Sequence, residues 1–141
     1  MSDFILLDGD RANFNPVFGA AIVNVQPGTL KGSGESTLQG KKVCIDGDEK
    51  KVSVPGCTYT TPVYSIPGMG TLKIAALGGD QKAQKTRSAG KPMLLKGSTF
   101  TAQFEVQNPA KQPSSTPIPD SMPQYSGTGT FITTNTKWRV T

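Results

Sequence analysis

The chain has 141 residues, 35% of them hydrophobic, with 16 Gly and 11 Pro. That bounds it to one modest, turn-rich core and excludes both a collagen-like and a wholly disordered chain. Its 15 Lys and Arg against 10 Asp and Glu give a formal charge of +5, and there is no histidine. Without an imidazole a Ser–His–Asp triad is excluded, and a structural or binding role comes before an enzymatic one.

In chain order, residues 4–7 read as a short strand ended by the turn Asp8-Gly9-Asp10. Residues 18–25 read as a second strand, turned by Pro27-Gly28. Residues 42–45 and 51–54 read as the two arms of a β-hairpin around residues 46–49, ended by Pro55-Gly56. Residues 57–60 are rich in strand formers, and residues 71–74 alternate apolar with polar. Residues 75–87 hold the one helix candidate, a brief exposed turn capped by Asp80. Residues 98–106 are the longest strand candidate, with Phe100, Ala102, Phe104 and Val106 on one face by period two. The organisation expected is therefore all-β: a β-rich domain over residues 1–107, a polyproline-like linker over 108–124 and a C-terminal β arm over 125–141. The arm ends in an edge strand carrying Trp138. No internal repeat is expected.

The chemistry-bearing candidates are few. Lysines at 41, 42, 50, 51, 82, 85, 91 and 96 carry much of the charge, but Asp46, Asp48 and Glu49 interrupt the run. Solvated strand faces are preferred to specific nucleic-acid binding, because no basic stripe with interleaved aromatics appears. Cys44 and Cys57 have neither a CxxC nor a zinc-ribbon spacing. Two buried thiols are preferred, with one disulfide or a partial metal site as alternatives. Residues 46–49 lack the spacing of a calcium loop and read as a turn. The glycines at 68, 70, 78 and 79 do not form a phosphate-cradling pattern. Lys96 with Ser98 is the one dyad the sequence offers, a pairing that chance supplies on any β surface. Phe100 and Phe104 read as core, while Tyr59, Tyr64 and Tyr125 suit an interface or a core margin. No catalytic, cofactor-binding or metal residue is assigned. No signal peptide or membrane-length apolar run is visible, so synthesis in the cytoplasm is expected, with any exit by another route.

Three stretches in this order carry a resemblance: Gly40-Lys41-Lys42-Val43-Cys44-Ile45-Asp46-Gly47-Asp48-Glu49, then Val54-Pro55-Gly56-Cys57-Thr58-Tyr59, then residues 90–100 from Gly90-Lys91-Pro92 to Phe100. Together they resemble the PAAR-like spike-tip proteins of contractile injection systems, and among them the tip proteins of phage-tail-like extracellular particles such as the anti-feeding prophage and Photorhabdus virulence cassettes. The resemblance implies a conical β-structure capping a trimeric β-helical spike, a particle acting outside the cell that made it, and transient contact with a target membrane. Effector or toxin cargo is a further partner it implies. Many relatives bind an apical metal through three His and one Cys; with no His here, no cofactor or metal is carried over. The alternatives are another baseplate or tube-adaptor subunit, or a small basic effector-like binding domain. A single tip on a trimeric spike calls for a pseudo-threefold base, and strands 51–54, 71–74 and 100–106 are the candidates for it. Residues 108–141 are expected either to wrap the spike or contact cargo, or to extend loosely.

Overall fold

The computed structural model describes residues 3–114, 116–135 and 137–140. Its strands in chain order are β1 (Asp3–Phe4), β2 (Arg11–Phe14), β3 (Val17–Phe18), β4 (Ala21–Val23), β5 (Gly28–Thr29), β6 (Thr37–Leu38), β7 (Lys41–Lys42) and β8 (Ser53–Thr60). These are followed by β9 (Gly68–Ala76), β10 (Lys82–Ser88), β11 (Lys91–Leu94), β12 (Phe100–Asn108), β13 (Lys111–Gln112), β14 (Ile118–Pro119), β15 (Gln124–Ile132) and β16 (Arg139–Val140). A 3-10 turn, Asp48–Lys51, precedes β8. The fold is all-β, as the turn-rich sequence implies.

Eight strands form one antiparallel sheet in the order β3-β4-β8-β9-β12-β15-β2-β5. The period-two reading of residues 98–106 holds: Phe100, Ala102 and Phe104 are buried. Phe100 packs edge-on to Phe14 at 5.5 Å between ring centroids and tilts against Phe131 at 4.8 Å. Aromatic pairs of this kind add roughly 0.5–1.5 kcal/mol beyond their buried area. The sheet curls so that β3 returns over its middle: the Phe18 ring lies 6.2 Å from Phe104 and against Gly127 of β15. Pro55-Gly56 does not end β8, because Gly56, at φ 74°, absorbs a bulge between Val54 and Cys57.

Several local expectations are corrected. Residues 82–88 are strand β10, not a helix; with no apolar helical face to bury, the segment pairs with β11 instead. Gly19, at φ 61°, splits residues 18–25 into the hairpin β3–β4. Residues 42–45 and 51–54 do not pair with each other: β7 pairs β6, and β8 pairs β9. The strands at 51–54, 71–74 and 100–106 fall largely within β8, β9 and β12, neighbours in one sheet, so they do not encircle a threefold axis. Residues 124–132 are not a free arm, since β15 lies inside the sheet between β12 and β2.

The expected polyproline-like linker is a pinned hairpin. β13 pairs β14, and Ile66 and Lys111 exchange backbone hydrogen bonds of 3.0 Å. Asp120, 5% exposed, accepts from the Tyr59 hydroxyl at 2.9 Å and the Tyr125 hydroxyl at 2.5 Å. The Tyr59 oxygen in turn accepts from the Ala110 N–H at 2.9 Å. Burial, reinforced by Asp120, pushes the Tyr59 phenol up to about 12, and the same two causes raise Tyr125. A phenol with a higher pKa folded than unfolded stabilises the fold below about pH 10, and that contribution is lost as pH climbs through about 12. Tyr59→Phe should therefore cost about 2 kcal/mol at pH 7 and flatten the alkaline fall in stability above pH 10. Chemical denaturation at pH 7 and across pH 9–12 checks both; an unchanged alkaline slope would remove Tyr59 from that titration.

Candidate functional site: a pseudo-threefold end

Three short segments that sequence reading left unconnected meet at one end of the sheet. They are Ile5-Leu6-Leu7, Val43-Cys44-Ile45 and Met93-Leu94-Leu95. Their central residues close a ring of backbone hydrogen bonds. Leu6 N–H donates to Leu94 C=O at 3.0 Å, Leu94 N–H to Cys44 C=O at 2.9 Å, and Cys44 N–H to Leu6 C=O at 2.9 Å. Flanking bridges repeat the cycle, with Ile5 opposite Leu95, Leu7 opposite Val43, and Ile45 opposite Met93. The residue after each segment repeats it again: Asp8, Asp46 and Lys96 N–H donate to the carbonyls of Lys42, Pro92 and Phe4 at 2.8, 2.8 and 3.0 Å. This is a pseudo-threefold axis within one chain.

Period-two alternation makes the ring a partition. Leu6, Cys44 and Leu94 face the core of the eight-stranded sheet. Ile5, Leu7, Val43, Ile45, Met93 and Leu95 face a second, smaller core on the other side. That core is walled by three two-stranded pairs, β1–β16, β6–β7 and β10–β11, in matching register: Asp3 opposite Val140, Leu38 opposite Lys41, and Ser88 opposite Lys91. Two pairs close through two-residue turns with positive φ at both positions, Gln39-Gly40 and Ala89-Gly90, the turn that matches strand twist. The third pairs segments near the two chain ends. Leu38, Trp138 and Val140 pack half-buried against this core.

The segments are locked by a repeated device. Asp10 and Asp48, 3% and 2% exposed, each accept from a backbone N–H three residues earlier, Leu7 at 2.7 Å and Ile45 at 2.8 Å. Each also holds the chain returning from the sheet. Asp48 accepts from Ser33 N–H at 3.1 Å and Ser33 Oγ at 2.6 Å, and Asp10 accepts from Thr134 N–H at 3.4 Å. In the third copy the roles invert, with Ser98 Oγ donating to Asp80 at 2.7 Å; this bond is the main cause lowering the Asp80 pKa.

The sequence candidates fall as follows. Asp48 and Glu49 are buried, Asp48 holding Ile45 and Ser33 and Glu49 accepting from Gly47 N–H at 2.7 Å. Asp46 pairs with Lys82 at 3.0 Å. Ser98 bonds Asp80, the partner the structure gives it in place of Lys96. Gly78 N–H donates to the Gln81 side chain, so residues 78–79 serve a local turn. Cys44 and Cys57 are both free and buried. Burial, then the Asp48, Asp10 and Asp8 charges, raise the Cys44 thiol, which opposes the thiolate a metal needs. The chain has no histidine, so its residues cannot build the three-His-one-Cys metal site that the resemblance would bring. Among the described residues, no three His, Cys, Asp or Glu side chains are placed to hold a metal.

The signal that sequence reading missed is a recurring hexad. It runs from Ile5 to Asp10, Val43 to Asp48 and Met93 to Ser98, with an apolar triplet, one variable residue, Gly and an oxygen-bearing residue. Among curated proteins, none matches the chain. A family described as contractile injection system spike tip protein matches residues 1–141. Its full-length coverage, joined to a curled all-β body with a pseudo-threefold end, gives the conclusion that this chain belongs to the contractile injection system spike tip family.

Proposed function

We propose that the chain is a non-enzymatic tip that seats as a single copy on a trimeric spike through the end walled by the three strand pairs. The ring of three hydrogen bonds through Leu6, Cys44 and Leu94 carries this reading. A lone chain has no true threefold symmetry, yet a trimer offers it three identical surfaces. Three quasi-equivalent walls let one chain meet all three with similar contacts. Leu38, Trp138 and Val140 leave the small core half-covered at that end, and spike side chains would complete it. The short strand pairs also offer backbone edges for strand addition. A ring-forming baseplate subunit would need symmetry between copies rather than within one, so the internal axis favours the tip. In this role the chain leaves the cell that makes it within the particle.

Native mass spectrometry of the chain co-expressed with the spike protein of its particle tests the reading. Three spike chains to one tip are expected. Leu38→Asp with Val140→Asp should weaken that complex at least tenfold, because two charges would be desolvated without partners. A many-copy ring, a lone monomer, or a complex indifferent to both substitutions would overturn it.

A further inference from the structure

Charge is unevenly divided over the molecule. At the end of the sheet opposite the three walls, β8 and β12 finish and β9 and β15 begin. Over residues 13–25, 58–70 and 106–126 the only charged side chains there are Lys111 and the buried Asp120. The other twenty-three charged residues lie elsewhere in the chain. Among these the acids are engaged by the fold itself. Asp3 accepts from the N–H groups of Phe4 and Gly97 at 2.7 and 2.8 Å, and Asp8 from Gly32 N–H at 3.0 Å. Asp46 and Glu105 pair with Lys82 and Lys73, and Asp10, Asp48, Glu49 and Asp80 hold the hydrogen bonds described above. The exposed lysines of two walls, Lys41 and Lys91, form no ion pair among the described residues.

Alternation puts these two lysines at the mouth of the smaller core. Lys41 and Lys91 stand two residues before Val43 and Met93, on the same face of the strand, and Val43 and Met93 line that core. Their cross-strand neighbours are Leu38 and Ser88. The quasi-equivalent position on the third wall is Asp3, opposite Val140. Its carboxylate is already bound to two backbone N–H groups, and the strand beside it carries Arg139, stacked over the Phe4 ring at 4.7 Å. Every wall therefore carries a cation around the half-covered apolar patch of Leu38, Trp138 and Val140. An apolar centre with a charged rim is the anatomy of a protein interface, not of a basic stripe that tracks a nucleic-acid backbone. We propose that this end recognises an acidic partner surface, a carboxylate repeated on each chain of the trimeric spike, through Lys41 and Lys91. The inference rests on the seating reading and names the chemistry of its partner. The lysine stems cover the margin of the apolar patch while the ammonium groups meet the carboxylates. The one-sided charge also turns this end toward the spike during encounter.

Affinity of the full chain for the spike of its particle, measured at about 0.05 M and about 0.5 M salt, tests it, since the higher figure screens surface charge. Binding should weaken at least about tenfold between the two. Lys41→Glu with Lys91→Glu should weaken it by at least about tenfold at low salt and remove most of the salt dependence. Lys41→Arg with Lys91→Arg should bind as the parent does. Lys111→Glu changes net charge as much as Lys41→Glu does, but lies on the exposed hairpin strand β13 away from the walls; it should shift affinity less than about twofold. A 3:1 complex indifferent to salt and to the paired glutamates would overturn the acidic-partner inference and leave the seating reading standing. Equal losses from Lys41→Glu and Lys111→Glu would overturn it too, by assigning the effect to net charge. So would binding to a plain DNA duplex as tight as to the spike. No 3:1 complex at either salt concentration would overturn both readings together.

Discussion

Asp48→Ala should cost about 3–5 kcal/mol, while Ser98→Ala, at the quasi-equivalent position of the third segment, should cost less than about 1 kcal/mol. The difference is burial. The Asp48 carboxylate is 2% exposed and is the acceptor for Ile45 N–H, Ser33 N–H and Ser33 Oγ. Its removal strands three donors where water cannot readily replace it, at roughly 1–3 kcal/mol each before relaxation. Ser98 and Asp80 bond at the surface, where solvent takes over either partner. Asp48 also fastens the chain returning on residues 32–36 to the segment that forms one side of the ring. Its loss should therefore loosen the β6–β7 wall before the eight-stranded sheet. Equilibrium urea unfolding gives the two energies, and amide exchange at Val43, whose N–H donates to Ser36 C=O at 3.0 Å, reports the wall. Equal costs for the two substitutions would mean that the locks are not graded by burial.

How much of this was legible in the sequence depends on the distance over which each feature is decided. Alternation at 71–74 and 100–106 places Leu72, Ile74, Phe100 and Phe104 correctly inside, because period two is a local property of a half-buried strand. The hairpin reading of 42–54 fails because Asp48 turns its carboxylate back onto Ile45 and across to Ser33, converting a turn into a 3-10 turn and sending β8 to β9. The residues of 82–88 carry too little apolar patterning to declare a strand; Ala83 and Ser88 face inward there, and pairing with β11 decides the matter. The ring is the hardest feature to read. Its copies begin at residues 5, 43 and 93, separated by excursions of unequal length, and the third replaces both acidic positions with Lys96 and Ser98. One of its three walls joins segments from opposite ends of the sequence, β1 and β16, so no window on the sequence contains it.

The two ends of the molecule divide the work by composition as well as shape. Lys41, Lys42, Arg87 and Lys91 lie on or beside the wall turns, where three of the four strands flanking those turns carry exposed cations. The opposite end keeps almost no charge and is rigidified instead by packing, by the Asp120 clasp and by prolines. In the proposed role the chain transmits load between these ends. Its connections are the three out-and-back excursions, which leave the ring and merge into one sheet.

The joint that closes that sheet should show the second large effect. Phe18→Ala should cost about 3–5 kcal/mol, because its ring is fully buried between Phe104 and β15. Gly127→Ala should cost about 1–3 kcal/mol alone, since a Cβ there would sit 2.6 Å from the Phe18 ring, with only that ring's atoms nearest. The obstruction is a side chain, so removing it should relieve the alanine. In the double variant the two costs should fall short of their sum by at least about 1 kcal/mol, a coupling expected only for groups in contact. Gly129 offers the contrast: its Cβ would also meet the Asn13 carbonyl oxygen, which is backbone and does not yield. Trimming Phe100 should therefore rescue Gly129→Ala much less than trimming Phe18 rescues Gly127→Ala. Denaturation of the paired cycles supplies the two coupling energies. Exchange at Asn15, whose N–H donates to Thr128 C=O at 2.8 Å, should accelerate in Phe18→Ala as the β3 edge lifts. Additive costs with Asn15 still protected would mean that the curl is held elsewhere, and this end of the sheet would owe its stiffness to the Asp120 clasp instead.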